Sequence, residues 1–138
     1  MEIRFNELNP TYTRFKGRPK DAILFLMKKK KGQCINAFYR KGIGYIDLIW
    51  GEVTDPVRHK GYGLSHIIEK HGKQIESMGY RIEDFIPIIL EHGNLSKTKS
   101  GDEYILQSSE FRIVIERLYK GKSKNWILTA FNLKKARV

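Results

Sequence analysis

The sequence predicts an α+β domain, with N-terminal helices packed on a twisted antiparallel β-sheet. Three observations carry that expectation. Apolar residues recur at helical spacing in three places before residue 93, and from Asn94 onward the chain becomes short runs of β-branched and aromatic residues separated by turn residues. The third is size: 138 residues, 41% of them hydrophobic, can bury one core but hardly two.

Met1 to Lys20 is polar and irregular, with Pro10, Gly17 and Pro19 set among Arg14, Lys16, Arg18 and Lys20. It reads as a basic arm (1–20) ahead of a single domain over 21–138. Asp21 precedes Ala-Ile-Leu-Phe-Leu-Met27, which suits a short helix ending in Lys28-Lys-Lys-Lys-Gly32, cations near its negative dipole end and glycine as the stop. Periodicity alone equally allows a buried strand there. Gln33 to Arg40 and Ile43 to Trp50 flank Lys41-Gly42 as a hairpin. Gly51 to Tyr62, with Pro56 and charges of both signs, reads as a loop leading into a helix that begins near Gly63. Ile82, Phe85, Ile86, Ile89 and Leu90 make one helical stripe closed by His92-Gly93, although Pro87 within it costs about 3 kcal/mol and should kink or shorten the helix. Strands follow at about Leu95 to Lys99, Glu103 to Ser108, Glu110 to Tyr119 and Asn125 to Leu133.

Charge narrows the partners. Lys plus Arg number 26 against 15 Asp plus Glu, a formal +11, with a pI near 9.8. Such a balance favours polyanions and fast, salt-sensitive association, with nucleic acid first and an anionic membrane surface second. No apolar run reaches the roughly 20 residues that span a bilayer, and the N-terminus lacks the apolar core of a secretory signal. The single Cys34 excludes an internal disulfide and falls in an expected strand, where a core role is ordinary. The four histidines, His59, His66, His71 and His92, show no zinc spacing, so no metal and no cofactor is expected. Gly121-Lys-Ser123 lacks the upstream glycine of a nucleotide-binding loop.

Two segments hold the residue types that phosphodiester chemistry needs. One is the last hairpin, Phe111-Arg-Ile-Val-Ile-Glu-Arg-Leu-Tyr119, then the basic turn Lys120 to Asn125, then Trp126-Ile-Leu-Thr-Ala-Phe-Asn132. The other is Gly61-Tyr-Gly-Leu-Ser-His-Ile-Ile-Glu-Lys-His-Gly72. At about 100° per residue, Leu64, Ile67, Ile68 and His71 fall on one side of that helix and Tyr62, His66, Lys70 and Lys73 on the other. His66 is therefore expected on the open face, where an ordinary pKa near 6.5 suits proton transfer around neutrality. His71 is expected on the apolar side.

Cleaving RNA without a metal needs a base for the 2′-hydroxyl, an acid for the leaving 5′-oxygen, and donors for the charge developing on phosphorus. His66 suits either proton role. Arg112 can hold a nonbridging oxygen bidentately, and Thr129 can donate a hydrogen bond. Lys70, Lys120, Lys122 and Lys124 are the candidate contacts to the RNA backbone, while Tyr62 and Trp126 can stack on bases. Glu69, Glu116, Tyr62 and His71 are the candidates to complete the acid and base pair with His66.

Ile46-Asp-Leu-Ile-Trp-Gly51, Lys60-Gly-Tyr-Gly-Leu-Ser-His-Ile-Ile-Glu-Lys-His71, Phe111-Arg-Ile-Val-Ile115 and Lys124-Asn-Trp-Ile-Leu-Thr-Ala-Phe131 occur in that order with compatible spacing. In these motifs, over roughly Gly42 to Leu133, the chain resembles the phage-associated branch of the barnase, EndoU, colicin-nuclease and RelE-like (BECR) superfamily. The final strand departs from the pattern at Phe131-Asn132: the family pattern has an acidic residue after the aromatic, and this chain has Asn132. The resemblance implies the BECR fold and metal-independent RNA cleavage leaving a 2′,3′-cyclic phosphate. It places His66, His71, Arg112 and Thr129 at the family's functional positions. It further implies an RNA substrate, tRNA among the candidates; electrostatic complementarity to the basic chain points to an acidic immunity or antitoxin protein as inhibitor. The site of action would be cytoplasmic, for a phage-encoded or delivered effector that can be part of a larger phage or toxin polypeptide. The alternative is a noncatalytic RNA- or DNA-binding module on the same basic face.

Overall fold

The computed structural model describes residues 8–58 and 60–133. Its elements, in chain order, are β1 (Thr11–Tyr12), α1 (Pro19–Lys29), β2 (Gln33–Arg40), β3 (Gly44–Ile49), β4 (Glu52–Asp55), β5 (Lys60–Tyr62), α2 (Gly63–Ser77), α3 (Ile82–His92), β6 (Asn94–Lys97), β7 (Glu103–Gln107), β8 (Phe111–Tyr119) and β9 (Lys122–Asn132). Seven strands form one sheet in the order β1-β2-β3-β9-β8-β7-β6, and β4 and β5 pair separately. The β1–β2 and β3–β9 pairs are parallel and the rest are antiparallel. The expected α+β class therefore holds.

One face of the sheet is covered by the helices. Cys34, Ile46, Leu48, Leu106, Ile113, Ile115 and Ile127 point into a core completed by Ile23 and Leu26 of α1, Leu64, Ile67 and Ile75 of α2, and Phe85 and Ile86 of α3. Burial pushes the Cys34 thiol up to about 12, so it packs as a hydrophobe. Helix, not strand, wins at 19–29 because Pro19 opens the first turn, where its missing N–H costs nothing. Lys30 closes the last turn in the left-handed conformation, its N–H donating to Leu26 O. Pro87 leaves α3 continuous across Ile82–His92, since Phe85, Ile86, Ile89 and Leu90 bury around it. The Arg40 guanidinium satisfies the end of that helix, donating to Leu90 O at 2.7 Å and Glu91 O at 3.0 Å.

Three expectations need correction. The described part of the basic arm is not separate: Thr11 and Tyr12 pair with β2, Gln33 N–H donates to Pro10 O, and Phe15 joins the core. Aromatic residues between the arm's cations outweigh its polarity; residues 1–7 lie outside those described. The expected loop 51–62 holds the β4–β5 hairpin, too short and charged for alternation to reveal. The basic turn is only Lys120-Gly121, both at positive φ (51° and 79°), the mirror-image turn that matches strand twist. Lys122 and Lys124 consequently stand on β9 itself.

Candidate active site

The site takes shape where β3 leaves the sheet. The register joins β3 to β9 through Asp47 and Trp126, and the chain then turns away at Trp50. α2 occupies the flank of β9 so vacated, packing more extensively on β9 than on any other element. Its start is fixed by backbone contact: Ser65 N–H donates to Trp50 O at 2.8 Å. At Gly63, φ +79°, a Cβ would lie 2.8 Å from both Ile49 O and Trp50 O, and at Gly51, φ +75°, a Cβ would collide with Tyr62 O. Only glycine lets these segments lie this close. Tyr62 is thereby set beside Trp126, ring centroids 5.9 Å apart and nearly perpendicular.

α2 runs along β9 in the same direction, because Tyr62 meets Trp126 at one end and His71 meets Phe131 at 6.0 Å at the other. His66 lies between, its ring 6.4 Å from that of His71. On β9, Thr129 is half-buried and pairs with Val114, while Phe131 pairs with Arg112. Partners in an antiparallel pair share a face, so Thr129, Phe131 and Arg112 stand together on the side of the sheet away from the core. Arg112 is held from two sides. Its Nε donates to Gln107 Oε1 at 2.8 Å, and its guanidinium lies over the Phe131 ring at 5.8 Å. Among the described residues its terminal nitrogens make no hydrogen bond or ion pair, which leaves a bidentate fork for an anion.

The two histidines exchange the surroundings expected of them. His66 is 6% exposed, and His71 is the half-exposed one. A single-stripe helical reading fails because α2 is buried on two sides, Leu64, Ile67 and Ile75 against the core and Ser65 and His66 beside β9. Lys70 and Lys73 remain on the exposed face.

The remaining candidates divide. Lys120 and Lys122 are exposed, Lys120 lying over the Tyr119 ring at 5.8 Å. Lys124 is half-buried in an ion pair with Asp47 and donates to Gln33 Oε1 at 2.7 Å, while Asp47 also accepts Asn36 N–H at 2.7 Å. That charge ties β9 to β2 and β3. Trp126 is buried at 6% exposure, its Nε1 donating to Leu118 O at 3.0 Å. Glu116 pairs across the sheet with Glu103. Burial, that carboxyl neighbour's hydrogen bond and charge, and Asp102 beyond it push Glu116 up to about 7. Sequence reasoning missed Gln107 and Phe131 as supports of Arg112; the signal available was the short Ser108-Ser-Glu110 connection, which puts Gln107 opposite Arg112.

Among the described residues no helix is long and apolar enough to cross a membrane, and no three His, Cys, Asp or Glu side chains gather as metal ligands. No protein of curated function and no solved structure matches the chain. A family model described as phage-Barnase-EndoU-ColicinE5/D-RelE like nuclease1 matches residues 37–137. That span holds α2, β8 and β9 entire, together with the contact between α2 and β9. The chain belongs to the phage-associated Barnase-EndoU-ColicinE5/D-RelE-like nuclease family.

Proposed function

We propose that this nuclease is a metal-independent endoribonuclease that cleaves RNA by attack of the 2′-oxygen on the adjacent phosphorus. The P–O2′ bond forms, the P–O5′ bond breaks, and the products are a 2′,3′-cyclic phosphate and a 5′-hydroxyl. One imidazole of the His66 and His71 pair takes the 2′-hydroxyl proton and the other delivers a proton to the 5′-oxygen. Arg112 holds the nonbridging oxygens as charge grows on them, and Thr129 donates a hydrogen bond at the same face. The observation that carries this reading is that Arg112 and His71 both lie against the Phe131 ring, with the His66 imidazole 6.4 Å from that of His71. A guanidinium and two imidazoles supply charge stabilisation and proton transfer from the protein's own side chains.

Lys70, Lys120 and Lys122 track the RNA backbone in this reading, and Tyr62 and Trp126 face its bases. The formal +11 suits tRNA or another structured RNA in the cytoplasm, and an acidic immunity or antitoxin protein as inhibitor of a phage effector or toxin. A second reading, a noncatalytic RNA- or DNA-binding module, is favoured by the burial of His66, which suits a fixed imidazole. Labelled tRNA and a mixed-sequence RNA incubated in EDTA with the native chain, His66→Ala and His71→Ala decide between them. Cyclic-phosphate ends made by the native chain and lost in both variants support the enzyme; RNA that is bound yet intact throughout supports the module.

A further inference from the structure

At the opposite end of the α2–β9 contact from Arg112, a cavity of about 360 Å³ opens between the β5–α2 junction and the β8–β9 turn, with Tyr62, Tyr119, Trp126, Glu116 and Lys120 among its walls. We propose that it is a nucleobase subsite, taking a base that carries an exocyclic amino group. This inference rests on the nuclease reading above and names what its substrate presents to the neighbouring end of the site.

Shape argues first. Both tyrosines stand edge-on to Trp126, Tyr62 with centroids 5.9 Å away at 80° and Tyr119 at 5.7 Å and 78°. The indole is anchored by its Nε1 bond to Leu118 O, so the two phenol rings flank a fixed floor. Flat, rigid aromatic walls around a cavity of this size suit a planar ring, and stacking accepts any base. The exposed Leu118, at 41%, continues the apolar lip.

Chemistry argues next. Glu103 and Asp102 act on Glu116 from the β7 side, and Lys120, Tyr62 and Tyr119 line the cavity with it. Glu116 stands opposite Glu103 in the sheet and lines the cavity, so carboxyl oxygens not turned to that neighbour present lone pairs to the cavity. An acceptor in an aromatic slot reads an amino group and meets a carbonyl edge poorly. Spacing agrees. Arg112 and Glu116 share one face of β8, four residues apart, roughly 13 Å at about 3.3 Å per residue. That separation suits a phosphate at Arg112 and the base of the same or adjoining nucleotide at Glu116, and is too long for Glu116 to reach the reacting phosphate itself.

The test is calorimetric binding of 3′-CMP, 3′-UMP and inorganic phosphate, which needs no turnover. The inference expects 3′-CMP to bind more tightly than 3′-UMP by roughly tenfold and more tightly than phosphate. Tyr119→Ala should weaken both nucleotides by about tenfold without changing phosphate affinity, and Glu116→Gln should shrink the difference between 3′-CMP and 3′-UMP. In the native chain, with no substitution, 3′-CMP should shift the Trp126 indole N–H resonance and leave that of Trp50 in place. Nucleotides binding no better than phosphate, or an unmoved Trp126 signal, overturn the subsite. Nucleotide binding in a chain that leaves RNA intact would sink the nuclease reading and spare the pocket; cleavage with no base discrimination would do the reverse.

Discussion

The two faces of β8 show how one strand serves two purposes. Phe111, Ile113 and Ile115 look into the core, with Phe111 packed on Phe85 at 4.7 Å and on Tyr80 at 5.4 Å. Arg112, Val114 and Glu116 look the other way, toward Gln107, Thr129 and Glu103. Alternation at period two allows this division, because a residue on one face is shielded from its neighbours by the backbone. The covered face is apolar and closely packed. The open face gathers a cation, a hydroxyl and a paired carboxylate, groups that would be costly anywhere in the core. Stability and chemistry are thus separable along a single strand, and substitutions should respond accordingly.

The largest expected effect is on the open face. Arg112→Ala should lower cleavage of labelled RNA by about 10²–10³, the loss typical of removing one donor to a developing oxyanion, with little change in Tm. A collapse of Tm instead would break the division between faces. Ile113→Ala should do the opposite, costing about 2–5 kcal/mol in denaturant unfolding while leaving cleavage per folded molecule near native. Asp47→Asn is expected to cost about 1–3 kcal/mol by the same unfolding measurement, because it leaves the half-buried Lys124 without its counter-ion; this marks where the open face turns structural.

The smallest effect is in pH dependence. Glu116 has its folded pKa raised from 4.5 to about 7 by burial and by Glu103 and Asp102. The folded state therefore binds the proton more tightly than the unfolded chain, and this group's contribution to stability falls as pH rises from about 4.5 through about 7. Glu116→Gln should flatten that part of a Tm-against-pH curve, with Lys120, Tyr62 and Tyr119 left in place as the other groups lining the cavity. An unchanged slope would show that the carboxyl pair is fully relaxed by solvent.

Much of this was legible in the chain itself. The β2–β3 hairpin and the β7–β8–β9 meander follow from alternation and turn residues, and α3 from its apolar stripe. The motifs that carry the family resemblance make the contact between α2 and β9. What local pattern could not show was contact made at a distance. His66 is buried because β3 departs and α2 fills the flank of β9, an arrangement no helical projection contains. Lys124 is held in an ion pair because Asp47 arrives from a strand far away in the chain. Phe15 enters the core from a segment whose charges concealed its aromatic residues.

The glycines at 51 and 63 have a consequence for how this molecule can be retuned. Because Tyr62 and the first turn of α2 are located by main chain lying on main chain, the start of the helix against the end of β3 is set by backbone atoms rather than by side chains. Substitutions at Tyr119 or Glu116, in the proposed subsite, therefore leave these backbone contacts in place. The same arrangement leaves residues 51 and 63 no room for any other side chain, although neither has one that could touch a substrate.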